Sequence, residues 1–426
     1  MLNHLSLLIA SVQLASAAAA PVAQAPPQGA ILTVKQAVAE AIEHNLALLA
    51  ERFNLTASEA RIVTARLRPN PVLSVEGDHL DWLGTNYDRV NNAGPQEYSI
   101  RTDFVLERGS KRERRIDVAE QARSISEFQL RNTIRQLTLD VQNACADVLL
   151  AKETLALAND TLGAFGNIVR LNERRVRDGD LAEVELLRTQ LAQLQFETAA
   201  RQAELRLKNA RAKLQVLLGR RAATPLVDIV DTDMPRPALA ISDVLDRALK
   251  QRPDLQLARA DQARSQADIR LQIAQGAVDY SIGAEYRRQD GLAGRGNSVG
   301  LFFSSPLPFF SRNQGEIGRA RAESQQIDMK LQNIELTIRN DVETAYSQFE
   351  TARATLDKLE QVMLARARDV RQITEFSYQR GEASLIEFLD AQRAYNDTMQ
   401  TYNEAKADYA RSLFLLSSAS GSDVTP

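Results

Sequence analysis

The stretch IRQLTLDVQNACADVLLAKETLALANDTL, residues 134–162, carries an apolar residue at every third or fourth position without a break. This spacing is typical of a helix that packs along a coiled-coil seam. A second stretch with the same spacing covers residues 338–363. The sequence therefore predicts two very long helices, at about residues 111–177 and 315–379.

The predicted length of these helices limits the architecture. A helix of roughly 65 residues is about 100 Å long at 1.5 Å per residue, which exceeds a globular domain and fits a rod or a tube. Aromatic residues make up only 5% of the chain, which is also typical of long helices in contact. Many seam positions are alanine, so each helix is expected to need several neighbours, as in a helical barrel.

The chain contains an internal twofold repeat. Asp140-Val-Gln-Asn-Ala aligns with Asp341-Val-Glu-Thr-Ala, and Gly179 aligns with Gly381, so each half has about 200 residues. Such a period is too long for a solenoid repeat and indicates a duplicated domain. The other predicted helices are residues 33–68 (capped by Thr33 or its neighbour), 181–218, 241–275 and 384–417. The predicted organisation is a signal peptide at 1–25, a first repeat at 31–220, a linker at 221–238, a second repeat at 239–421 and a tail at 422–426.

The N-terminal segment indicates export. Residues 5–14 form an apolar core, and residues 15–20 are small, as a signal peptide with a cleavage site requires. No later segment reaches the ~18 apolar residues of a spanning helix. If the mature protein meets a membrane, we expect it to do so with strands.

Four short segments alternate apolar and polar residues with period two, as strands with one apolar and one polar side do. They are residues 73–78, 98–106, 280–287 and 298–303. In a membrane barrel the apolar sides would face lipid and the polar sides the lumen, with Tyr98, Tyr280 and Tyr286 in the aromatic girdles. Alternation alone is equally compatible with a soluble sheet covered by helices.

Barrel closure favours an oligomer. Four strands cannot close a barrel, and an open sheet edge cannot lie in lipid. Three protomers would supply twelve strands, an even number within the known range. Residues 82–95 and 290–296 are then the predicted outward hairpin loops.

Two aligned motifs carry a resemblance to a known family. Tyr378-Gln-Arg-Gly-Glu-Ala-Ser-Leu-Ile-Glu-Phe-Leu-Asp-Ala-Gln and its counterpart Arg177-Asp-Gly-Asp-Leu-Ala-Glu-Val-Glu-Leu-Leu-Arg-Thr-Gln resemble the helix–helix turns of the TolC family of outer-membrane factors. The resemblance covers essentially the whole mature chain. Arg68-Pro-Asn-Pro-Val, Arg108-Gly-Ser-Lys-Arg and Ser305-Pro-Leu-Pro-Phe-Phe are similar to the CzcC-like branch, which serves heavy-metal efflux.

The resemblance implies a mainly α protein with a small β part. It implies a homotrimer with a twelve-stranded barrel in the outer-membrane lipid of a Gram-negative bacterium, and long coiled-coil helices that form a periplasmic α-barrel. It further implies a periplasmic adaptor protein and an inner-membrane pump of the RND class as partners. The tip turns that would dock the adaptor match Asp178, Gly179, Arg380 and Gly381.

The family's gate also maps onto this sequence. The acidic ring matches Glu387 and Asp390, which lie at i and i+3 on one helix face, and Glu185 is the first repeat's counterpart of Glu387. A ring of carboxylates attracts cations at a narrow opening. Tyr378 matches a tyrosine that holds the gate closed, but the arginine that completes that network falls at Ala383. In the first repeat, Arg188 occupies the position that corresponds to Asp390, so this repeat does not duplicate that acid.

The sequence predicts passive export and no enzymatic activity. We find no nucleotide loop, catalytic triad, cofactor motif or metal cluster. The net charge of −3 implies no nucleic-acid partner. Divalent heavy-metal cations are the expected cargo. Export of drugs or other organic solutes by the same kind of duct is the first alternative, and a soluble periplasmic coiled-coil scaffold or adaptor is the second.

Overall fold

The structure is a computed structural model that describes residues 31–80, 82–84, 96–221, 226–230, 234–291 and 294–422. The predicted signal peptide, most of the predicted first hairpin loop and most of the predicted tail lie outside the described residues.

Both halves of the chain have the same order of elements, two helices, two strands and two long helices. The first half contains β1 (Ile31–Leu32), α1 (Val34–His44), α2 (Leu46–Arg66), β2 (Val72–Asp78), β3 (Gln96–Leu106), α3 (Lys111–Asp178) and α4 (Glu183–Leu217). The second contains β4 (Asp228–Ile229), α5 (Ile241–Gln251), α6 (Pro253–Gln275), β5 (Tyr280–Gly291), β6 (Gly294–Ser304), α7 (Gln314–Lys358), α8 (Leu364–Arg380) and α9 (Leu385–Ser420). A π-helical turn, Leu359–Met363, joins α7 to α8.

The sequence predicted one continuous helix at the start of each repeat. Both predictions are wrong, because in the structure each of these segments forms two helices. Thr33 caps α1 with a capping box, as the sequence indicated. Asn45 then leaves the helical conformation, and its side-chain oxygen accepts a hydrogen bond from the Leu48 amide at 3.1 Å, which starts α2. In the second half Pro253 begins α6, because proline disfavours the helical conformation in the residue before it.

The predicted seams form the core of the molecule. Val141, Ala144 and Val148 on α3 are buried, as are Val342 and Phe349 on α7. Helix α3 packs against α2, α4, α6 and α9, α7 packs against α6 and α9, and α8 packs against α9. The 68 residues of α3 span about 100 Å at 1.5 Å per residue. Between the halves, β4 pairs in parallel with β1.

The four long strands form one antiparallel sheet in the order β2-β3-β5-β6. The loop predicted at residues 290–296 is too long, because β5 continues to Gly291 and β6 begins at Gly294. Asp290 pairs with Arg295, and Gly291 pairs with Gly294. Gly294 has a φ of +116°, a conformation that glycine adopts without a Cβ clash. Among the described helices, none combines the length and the apolar character that a membrane crossing requires.

Candidate functional site

The four-stranded sheet β2-β3-β5-β6 has one apolar face, and this face is exposed. Val75, Ile100, Tyr286 and Val299 lie side by side across the four strands, and all of them are exposed. The neighbouring rows add further exposed apolar side chains, namely Leu73, Phe104, Ile282, Leu301 and Phe303. Soluble proteins rarely leave such a continuous apolar surface in water, and large exposed patches mark sites of contact with a partner or a membrane. The face is suited to lipid.

The opposite face of the sheet is polar and less accessible. Ser99 and Glu285 are only 7% and 8% exposed. Arg287 forms ion pairs with Glu285 and Glu97, both at 3.0 Å. Arg101 lies 4.1 Å from the centroid of the Phe302 ring. The sheet is therefore inverted relative to a soluble one, since the centre of its polar side is less exposed than its apolar side. This arrangement argues against the soluble scaffold considered above.

The two helix–helix turns at the far end of the long helices are built alike. Gly179 and Gly381 adopt left-handed conformations with φ of 82° and 80°. In the first turn the Asp180 amide donates to the Arg175 carbonyl at 2.7 Å, and in the second the Glu382 amide donates to the Ser377 carbonyl at 2.8 Å. These are Schellman caps, which favour glycine. Asp178 and Arg380, the residues before the glycines, are exposed, so both turns offer an open surface.

Tyr378 lies in a buried network that joins the two hairpins. Its side chain is 3% exposed, and its hydroxyl accepts a hydrogen bond from Asn172 Nδ2 at 2.7 Å. Asn172 Nδ2 also donates to Thr189 Oγ1 at 2.9 Å. Arg175 donates to the carbonyls of Tyr378 and Gln379, at 3.3 and 2.6 Å. Burial raises the pKa of the Tyr378 phenol above its ordinary value, so the network is uncharged around neutral pH apart from Arg175.

An aromatic cluster supports this network. The Tyr378 ring stacks on Phe388 with centroids 5.3 Å apart, Phe388 stacks on Phe165 at 5.8 Å, and Phe165 contacts Phe196 at 4.8 Å. Ala383, where the resemblance implies an arginine, packs against the same cluster. The hairpins are thus held together within one protomer by Asn172, Arg175 and aromatic stacking.

Sequence reasoning missed Asn172, Arg175 and Phe388. Asn172 continues the apolar stripe of Phe165 and Ile168 on α3, and a polar residue in such a stripe is a signal for a buried hydrogen bond. Nothing in the sequence indicates which residue of the other repeat completes the bond.

The predicted gate acids have different environments. Glu387 turns back on its own helix, where its Oε2 accepts hydrogen bonds from the Ser384 amide at 2.7 Å and from the Ser384 hydroxyl at 2.9 Å. The bond from the backbone amide lowers the pKa of the Glu387 carboxyl, so it is ionised at neutral pH. Asp390 projects into solvent and lies 3.8 Å from Arg393.

Glu185 lies close to the start of α9. With Arg188 it lines a groove of about 240 Å³ between α4 and α9, which Ser384 and Arg393 also line. The structure thus brings Glu185 together with the second-repeat tip, alongside two arginines. The carboxylates of Glu185, Glu387 and Asp390 outnumber the guanidinium groups of Arg188 and Arg393 by one.

A comparison of the sequence with known families identifies the chain's relatives. The profile of the family described as outer membrane efflux protein matches residues 37–220 and 244–422. The cobalt-zinc-cadmium resistance protein CzcC of Cupriavidus metallidurans is 26% identical over 364 residues, which cover 85% of this chain and 83% of that protein. The cation efflux system protein CusC of Escherichia coli is 25% identical over 401 residues, which cover 89% of this chain and 83% of that protein.

Solved structures share the fold. A crystal structure of CusC superposes with a TM-score of 0.76 at 20% identity and covers 96% of this chain and 99% of that chain. The outer membrane channel CmeC of Campylobacter jejuni superposes with a TM-score of 0.72 at 14% identity and covers 96% of this chain and 94% of that chain.

Proposed function

The chain belongs to the outer membrane efflux protein family, and on that premise we propose that it works as a homotrimer that conducts divalent heavy-metal cations out of the cell. The protein is an efflux channel of the outer membrane with a periplasmic helical extension, and it is not an enzyme. The observation that carries the proposal is the inverted sheet, apolar outside and polar inside, at one end of helices about 100 Å long.

The sheet edges support a trimer. Strands β2 and β6 each have one unpaired edge, and they lie at opposite sides of the four-stranded sheet. Because all three pairings are antiparallel, β6 of one protomer runs antiparallel to β2 of the next when copies are placed side by side. Three copies give a closed barrel of twelve strands, which has no edge in lipid.

The helices support the same arrangement. In the part of the molecule that carries the two helix–helix turns, the helices lie in the order α4, α3, α9, α8. Helices α4 and α8 are therefore the outer helices of each protomer. Both carry exposed apolar side chains three or four residues apart, a spacing that forms a seam with a neighbouring helix. They are Val184, Leu187, Leu191 and Leu194 on α4, and Val370, Ile373 and Phe376 on α8. Packing of α8 against the next copy's α4 would close a tube of twelve helices.

We assign the opening of this tube to the end where the hairpins turn. Glu387, Asp390 and Glu185 would supply nine carboxylates in a trimer, and Arg188 and Arg393 six guanidinium groups. The excess negative charge favours cations at a narrow opening, although less than a ring of acids alone would. Tyr378 and its network would hold the opening closed.

The cargo is inferred from the same charge and from the relatives' names, which refer to cobalt, zinc and cadmium in one case and to cations in the other. A duct should not bind its cargo tightly. An organic cargo remains the second candidate, because a polar tube does not by itself select against organic solutes.

We further propose that a periplasmic adaptor docks at the two tip turns and connects the channel to an inner-membrane pump of the RND class. Gly179 and Gly381 leave open space around the turns, since a Cβ atom at either position would meet nothing within 4 Å. Asp178 and Arg380 would give these turns charged contacts.

Two measurements test the function. The purified protein in a planar bilayer should conduct ions and prefer cations, which the reversal potential in a KCl gradient reports. Deletion of the gene should lower tolerance to zinc, cobalt or cadmium and leave tolerance to organic toxicants unchanged. Loss of tolerance only to organic compounds would reject the metal cargo. Absence of conductance both in the wild type and in Tyr378→Phe, which lacks the hydroxyl of the closing network, would reject the channel.

A further inference from the structure

Arg108 lies where the sheet joins the long helices, and its side chain is held in a fixed position. The guanidinium group lies 4.5 Å from the centroid of the Tyr280 ring and donates a hydrogen bond to the Tyr280 hydroxyl. The Arg108 backbone amide donates to Asp279 Oδ1 at 2.9 Å. A stacked, hydrogen-bonded arginine has lost much of its rotamer freedom before any ligand binds.

Arg108 lies on the lipid-facing side of the sheet. Tyr280 alternates with Ile282 on the exposed apolar face, and its ring contacts the Phe303 ring with centroids 5.3 Å apart. Phe303 pairs with Ile282 and is 65% exposed on that face. A guanidinium stacked on Tyr280 is therefore at the outer surface of the barrel, at the end nearest the periplasm.

Within the described residues, no carboxylate neutralises the positive charge of Arg108. Two neighbouring carboxylates have other partners, since Asp279 pairs with Lys111 at 2.8 Å and Glu107 pairs with Arg115. Among the described residues no carboxylate lies within ion-pair distance of the Arg108 guanidinium. Tyr280 occupies one of its donors, and the remaining N–H groups can reach a ligand.

The surroundings of Arg108 have the composition of a membrane interface. Leu106, two residues before it, is exposed on the apolar face. The segment between β6 and α7 at the same end of the sheet exposes Leu307, Phe309 and Phe310, the last to 93%. Aromatic and arginine side chains together are typical of the level of the lipid headgroups, where the ring is in acyl chains and the charge in water.

We propose that each protomer binds the phosphate of one anionic phospholipid of the periplasmic leaflet at Arg108, with Tyr280 holding the guanidinium in place. A planar guanidinium with several free N–H groups fits a phosphate better than a point charge does. Because the Arg108 site adjoins the lipid-facing strands, we expect it to bind the phosphate of a lipid and not free phosphate. The site lies within one protomer, so it depends neither on the cargo nor on the gate.

Native mass spectrometry of the purified full-length protein tests the proposal. We expect phosphatidylglycerol to bind more tightly than phosphatidylcholine with the same acyl chains, with one preferred site per chain. Arg108→Gln should weaken phosphatidylglycerol binding about 5-fold, since one basic residue at an anionic surface contributes about that factor. Phosphatidylcholine binding should weaken less, because the choline cation offsets the charge of its phosphate.

Arg206→Gln is the matched control, because Arg206 is an exposed arginine on α4 that forms no ion pair with any residue the structure describes, and it lies far along the chain from the strands. It should bind both lipids like the wild type. Tyr280→Phe retains the ring and should reduce phosphatidylglycerol binding less than Arg108→Gln does, which tests the site even if the arginine variant assembles poorly. Equal binding of the two lipids by the wild type would overturn the proposal. Equal losses of phosphatidylglycerol binding in Arg108→Gln and Arg206→Gln would also overturn it. The same holds if Arg108→Gln forms fewer trimers but binds phosphatidylglycerol as the wild type does.

Discussion

Replacement of Tyr378 by phenylalanine should shift the channel toward its open state. The substitution retains the stacking on Phe388 but removes the hydroxyl that both accepts from Asn172 Nδ2 and donates to Asn172 Oδ1, at 2.7 and 3.0 Å. Asn172 is 0% exposed, so water cannot replace the lost partner in the closed state. A buried polar group left without a partner costs about 1–3 kcal/mol.

The size of the shift follows from that cost. We expect opening to separate the α8–α9 hairpin from α3 and to expose Asn172 to water, so the penalty applies to the closed state alone. A difference of about 1–3 kcal/mol changes the ratio of open to closed channels by roughly 5- to 150-fold. The measurement is the open probability of single channels in planar bilayers, in the absence of adaptor and pump.

Tyr395→Phe is the control for this experiment. Tyr395 lies on α9 in the same hairpin and contacts Arg371 through its ring, and within the described residues its hydroxyl forms no hydrogen bond. The Tyr395→Phe variant should have the same open probability as the wild type. If Tyr378→Phe also leaves the open probability unchanged, the network does not hold the opening closed, and the reasoning is refuted.

Three further predictions concern the barrel, the opening and pH. Ile100→Asp or Ile282→Asp places a carboxylate on the lipid face of every copy, at a cost below the ~2–4 kcal/mol of an arginine or lysine there, and should prevent assembly of trimers on semi-native gels. Ser298→Asp on the polar face should assemble, and normal trimers in the Ile variants would mean that this face does not meet lipid. Glu387→Ala combined with Asp390→Ala should raise anion permeability, measured as the reversal potential, while Glu197→Ala on α4 should not; unchanged selectivity would remove these residues from the opening. The lowered pKa of Glu387 means that its carboxylate-dependent cap is fully formed above the ordinary Glu pKa and is lost as pH falls through the lowered value. Amide exchange of residues 384–388, corrected for the intrinsic exchange rate at each pH, should therefore accelerate in the wild type as pH falls below the ordinary Glu pKa. Glu387→Gln, which can still accept from the Ser384 amide without ionising, should have no such pH dependence, and equal acceleration in both proteins would contradict the assignment.

Much of the fold could be predicted because the signals are local. The heptad seams on α3 and α7, the period-two strands and the Thr33 cap depend on residues close to one another in the sequence, and all are confirmed. The break before Pro253 could also have been predicted from the proline. The break at Asn45 has a weaker signal, because asparagine occurs inside helices as well as at caps.

The contacts that join the repeats could not be predicted in the same way. Asn172 and Tyr378 are 206 positions apart, and their hydrogen bond depends on how α3 packs against the α8–α9 hairpin. The π-helical turn at Leu359–Met363 has neither proline nor glycine to mark it. The position of Arg108 on Tyr280 likewise depends on the pairing of β3 with β5.

The trimer is the central claim, and the mass of the assembled protein tests it most directly. The full-length protein should be extracted with detergent from isolated outer membranes, and its mass measured by light scattering after subtraction of the detergent. We predict a protein mass equal to three mature chains, as closure of a twelve-stranded barrel requires. A mass of one or two chains would contradict that closure, because the edges of β2 and β6 would then remain unpaired in lipid.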